Sequence, residues 1–171
     1  DKLFADRPEG REARFRIEHA QILDEAEIPR MATLGIIAAM QGVHCTSDMD
    51  WVPTRIGDQR SEEGAYVWRR LLQAGVQVCN GTDAPVEDIS PFDCFYSTVT
   101  RQHQDGSPAK GWYPGQRMSR LEALHSYTLA GAYAAFEENI KGSITPGKLA
   151  DITILDRDLT TIPAKEILGT K

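Results

Sequence analysis

Residues 76–87 read VQVCNGTDAPVE, and the fold turns on how that stretch is read. Val76, Gln77, Val78 and Cys79 form a short β-rich run that ends abruptly in Gly81-Thr82-Asp83-Ala84-Pro85. Gly81 and Pro85 stop the run from continuing as strand or turning at once into helix. Asp83 is therefore expected at the C-terminal tip of a buried parallel strand, where ligands and catalytic groups gather in α/β architectures. A carboxylate there either bonds nearby backbone N–H groups in a turn or does chemistry.

Upstream, residues 14–20 (RFRIEHA) alternate, with Phe15, Ile17 and His19 on one face and Arg14, Arg16 and Glu18 on the other. His19 ends that pattern, as a core histidine or as a second group at a strand tip. Residues 36–41 (IIAAMQ) are almost continuously apolar, the signature of a strand covered on both faces. Between these two runs, Pro29 opens a helix with Met31, Ala32 and Leu34 on its apolar side and Gly35 as terminator. Residues 61–74 repeat Ala65, Val67, Trp68, Leu71 and Leu72 at helical spacing, which predicts one helix closed by Gly75. Ser90-Pro91 caps a further helix through Thr100, and Ser119 with Glu122 forms a capping box for the next. Residues 150–156 (ADITILD) alternate as a half-exposed strand.

The order is strand–helix–strand–helix–strand–helix, with long loops at residues 42–59 and 103–117. Three parallel βα units elaborated at one end predict an α/β fold, part of a (β/α)8 barrel. No phosphate loop is present, because Gly81 lacks the spacing of a nucleotide fingerprint. The net charge of −6, with 19 Lys and Arg against 25 Asp and Glu, argues against a nucleic-acid surface. No apolar run approaches the roughly 20 residues that span a bilayer, so no membrane partner is expected. Cys45, Cys79 and Cys94 are odd in number and show no C-x-x-C spacing, which fits a reducing, cytoplasmic compartment. The chain begins at Asp1, which reads as a processed or partial product.

Taken together, RIEHAQ at 16–21, GTDAPVE at 81–87, TRQHQDGSPAKGWYPGQRMSRLEAL at 100–124 and KGSITPGKLADITILDRD at 141–158 resemble the C-terminal portion of the YtcJ-like amidohydrolases, the amidohydrolase family 3 group. That resemblance implies a barrel holding one or two divalent metals, zinc above all, at its C-terminal mouth. It implies that His19 is the metal-binding histidine ending the sixth strand. Asp83 is then the aspartate after the eighth, binding metal and orienting or deprotonating the attacking water. The implied activity is hydrolysis of small amides or formamides at C–N bonds other than peptide bonds. Residues 1–140 would be the end of the barrel, and residues 141–171 a segment of an accessory β-sandwich.

The histidine pair of the family's first strand, the bridging residue of the fourth and the histidine of the fifth have no counterparts here. The chain is thus expected to carry about half a site. It is expected to be inactive alone and to form homo-oligomers through exposed sheet edges; the alternative reading is a catalytically incompetent fragment with a structural or self-association role. Four further residues have two readings each. His44 faces substrate or is a solvated loop histidine. Trp112 and Tyr113 form an aromatic flap over the pocket or pin a surface loop. Arg101 meets a substrate carboxylate or sits at a helix C-terminus because cations are favoured there.

Overall fold

The computed structural model describes residue 2 and residues 8–171; the remainder of the expected N-terminal loop lies outside the described residues. The three predicted strands form one parallel sheet in sequence order, β1 (Arg16–Glu18), β2 (Ile37–Gln41) and β3 (Val78–Gly81). Its register pairs Glu18 with Ala39, Ala39 with Cys79 and Gln41 with Gly81, so all three C-terminal ends lie along one rim. Every residue of β2 is buried, as its apolar run requires, whereas β1 is exposed throughout. The sheet is open: three strands do not close a barrel.

Helix α1 (Glu27–Leu34) buries Ile28 and Met31 and ends at Gly35, whose φ of 66° is the left-handed conformation a glycine terminator supplies. The segment after β2, expected to be a long loop, instead folds at once into α2 (Gly42–Asp48), α3 (Val52–Ile56) and α4 (Asp58–Gly64). Its polar residues lie on short helices because α2 is pressed against the helix at Pro91–Thr100. A Cβ built on Gly42 would lie 2.0 Å from Thr98 Oγ1 and 2.4 Å from the Cys94 carbonyl oxygen.

The single helix expected over residues 61–74 is broken into α4 and α5 (Trp68–Gln73). At the break Leu23 N–H donates to the Gly64 carbonyl at 3.0 Å and Tyr66 N–H donates to the Gln21 carbonyl at 2.8 Å. These backbone groups are taken by the chain leaving β1, so the helical ladder cannot run through them. The apolar period survives the break, since Ala65, Val67, Trp68 and Leu71 are all buried in the core.

Helix α6 (Pro91–Thr100) starts as predicted, with Ser90 Oγ accepting from Asp93 N–H. Helix α7 (Arg120–Tyr127) carries the predicted capping box: Glu122 Oε2 accepts from Ser119 N–H at 2.7 Å and Ser119 Oγ accepts from Glu122 N–H at 3.3 Å. Helix α8 (Leu129–Ala134) follows directly. Residues 150–156 form no strand; Ile152 and Ile154 are exposed, and the segment has no sheet partner among the described residues. The C-terminal part is fastened instead by Arg120, which donates to the Leu159 and Ile162 carbonyls at 2.5 and 2.7 Å, and by the buried side chain of Ile167.

Glu122 also takes both terminal nitrogens of Arg69, at 2.7 and 2.6 Å, and this holds its carboxyl down at about 2. A carboxyl held below its unfolded value stabilises the fold above that value and loses the contribution as pH falls through the folded one. Glu122→Gln is therefore expected to cost about 1 kcal/mol near neutrality, given its partial exposure. In urea melts the difference from the parent should shrink as pH is lowered from 4.5 toward 2. Gly42→Ala should cost roughly 3 kcal/mol, because the Thr98 hydroxyl and Cys94 carbonyl must be displaced. The same melts at neutral pH check it.

Candidate metal centre

Three side chains meet at the rim: His19 one residue past β1, His44 in the first turn of α2, and Asp83 two residues past β3. Each offers a ligand atom, and these atoms lie within 4.8 Å of one another. Asp83 Oδ2 is 3.6 Å from His44 Nε2 and 3.8 Å from His19 Nδ1, and the two imidazole rings stack with centroids 5.7 Å apart. Both His19 (φ 68°) and Asp83 (φ 60°) have left-handed backbone, an uncommon conformation for residues with a Cβ that concentrates at functional sites.

Burial differs sharply across the trio. The His19 side chain is 46% exposed and that of Asp83 33%, whereas His44 is 8% exposed. An amide lies against Nδ1 of each imidazole; in His44 this is the nitrogen away from Asp83, in His19 the one nearer it. His19 Nδ1 lies 2.9 Å from Gln41 Oε1, and His44 Nδ1 lies 3.3 Å from Gln21 Nε2. Two imidazoles and a carboxylate are the donor set that zinc and similar divalent cations take, so these residues fit such an ion.

His44 is not the loop residue expected. Helix α2 follows β2 without a connector, which buries His44 and turns it toward Asp83. The spacing of His44 and Asp48, four apart, was the available signal, since it places both on one helix face. Nothing in the sequence singled out Gln21 or Tyr66, yet both stand behind His44. The Tyr66 hydroxyl donates to Asp48 Oδ2, and the Gln21 amide lies against His44 Nδ1.

Arg101 is placed away from the site, fully buried. Its Nη1 donates to the Tyr66 carbonyl at 2.7 Å and its Nε to the Trp112 carbonyl at 2.5 Å. The guanidinium lies over the rings of Trp68 and Trp112, 4.8 and 5.2 Å from their centroids, where no substrate carboxylate reaches it. Trp112 packs on the core through Tyr66, with ring centroids 6.4 Å apart, and Tyr113 stacks on Trp112 at 4.6 Å. These aromatics tie the loop at residues 103–117 to Tyr66, one residue removed from the His44 network. Burial pushes the Cys45 thiol, next to His44 in sequence, up to about 11, so it is protonated at neutral pH.

Sequence comparison finds Protein LONG AFTER FAR-RED 3 of Arabidopsis thaliana 38% identical over 145 residues, 85% of this chain and 24% of that protein. The N-substituted formamide deformylase of Arthrobacter pascens is 32% identical over 145 residues, 84% of this chain and 26% of that one. This chain thus spans about a quarter of the length of either relative. Among solved structures, an uncharacterized metal-dependent hydrolase from Pyrococcus furiosus superposes with a TM-score of 0.73 at 30% identity, over 85% of this chain and 29% of the other. The model of the amidohydrolase family matches residues 4–171, and the chain belongs to that family.

Proposed function

We propose that this chain supplies part of the metal-binding rim of a YtcJ-like hydrolase that cleaves C–N bonds other than peptide bonds, in small amides or formamides. One observation carries the reading: His19, His44 and Asp83 converge at the C-terminal ends of three adjacent parallel strands. The family membership and the formamide-cleaving relative support the bond class. Zinc is the expected ion, held by His19 and Asp83. With Gln41 Oε1 accepting from Nδ1–H, His19 keeps the Nε2 lone pair that a ligand needs. A bound divalent cation supplies Lewis acidity and makes water acidic enough to ionise near neutral pH. Asp83 is the acceptor for that proton at Oδ2, and the same atom can return it to the departing nitrogen.

The open sheet favours completion of the site by further structure. The exposed β1, with Ile17 at its centre, and the exposed Ile152 and Ile154 fit pairing between copies of the chain. Residues 141–171 are read as part of an accessory unit, and the three unpaired cysteines as the mark of a reducing compartment such as the cytoplasm. No helix among the described residues is long and apolar enough to cross a membrane.

Zinc titration by calorimetry tests the site. One ion per chain is expected, bound weakly, with affinity reduced at least tenfold in His19→Ala and in Asp83→Ala. His125→Ala, on helix α7 away from the cluster, should bind as the parent does. Equal zinc affinity in all four proteins would refute the assignment. Light scattering on the same samples tests pairing, which predicts a mass above that of one chain.

A further inference from the structure

We draw no further inference here: the strongest candidate, the apolar groove between helices α7 and α8 and residues 141–155, with Ile144 and Ile152 exposed in its wall, is an unpartnered face, and nothing in the structure shows what covers it.

Discussion

Two backbone hydrogen bonds, Leu23 N–H to the Gly64 carbonyl and Tyr66 N–H to the Gln21 carbonyl, join the end of the first strand unit to the middle of what would otherwise be one long helix. Ile22 and Ala65 pair as an isolated antiparallel bridge between them. Close approach is possible because Gly64 has no side chain: a Cβ there would lie 2.2 Å from the Leu23 carbonyl oxygen. Several consequences follow from that crossing. Tyr66 is forced into left-handed backbone (φ 52°), its ring is buried, and its hydroxyl donates to Asp48 on the helix that carries His44. Its carbonyl, released from helical bonding, becomes the acceptor for Arg101 Nη1. One interruption of a helix thus organises both the support of the rim and the burial of a cation.

Burying a guanidinium is costly unless its donors are met and its charge is stabilised. Arg101 meets the condition in part: the Tyr66 and Trp112 carbonyls accept from Nη1 and Nε and the Trp68 and Trp112 rings lie over its charge, while Nη2 has no hydrogen-bond partner among the described residues. Arginine suits this position better than lysine, because a planar guanidinium can stack on rings while its edge donates in the plane. Burial pulls its pKa down, yet guanidinium starts high enough to stay charged. Trp112 N–H in turn donates to the Arg101 carbonyl, so the long aromatic loop is clamped to the core at both ends of this one residue. The loop is therefore fixed against the core.

What the sequence discloses divides along physical lines. Strand existence and order were legible because β2 is apolar up to its last residue, Gln41, and the runs of β1 and β3 are short and followed by turn-forming residues. His19 and Asp83 were legible for the same reason, since parallel strands put their C-terminal ends on one side. The helix break at Ala65 was not legible, because the buried side chains keep helical spacing through it and the cause lies forty residues upstream. Nor was the α2 helix: its residues include Gly42, Thr46, Ser47 and Asp48, poor helix formers taken singly. They are held by packing on α6, where Thr46 Oγ1 and Ser97 Oγ lie 3.0 Å apart. Arg101 stands at the C-cap of α6, one of its two readings, but its burial was not legible, because only the tertiary position of two tryptophans shows it. The ADITILD alternation describes a strand that needs a neighbour, and none of the described residues provides one.

The positive φ values of His19, Ala20 and Asp83 explain how a rim is built from strand ends at all. Side chains on a strand point alternately to its two faces, so neither direction brings residues from three strands together beyond their ends. A single residue in left-handed conformation just past the strand turns its side chain out of that alternation and across the edge of the sheet. For residues with a Cβ this costs roughly 1–2 kcal/mol each. The cost at His19 is met close by, where Ala20 is buried and its N–H donates to the Glu18 carbonyl at 2.9 Å. At Asp83 a turn does the same, with Val86 N–H donating to the Asp83 carbonyl at 2.8 Å and Ala84 N–H to Thr82 Oγ1. His44 reaches the same point without strain, because a helix that starts directly at the strand end sweeps its first turn over the rim. Strain is thus confined to the two less buried members of the cluster, while the buried member is positioned by helix geometry and side-chain hydrogen bonds.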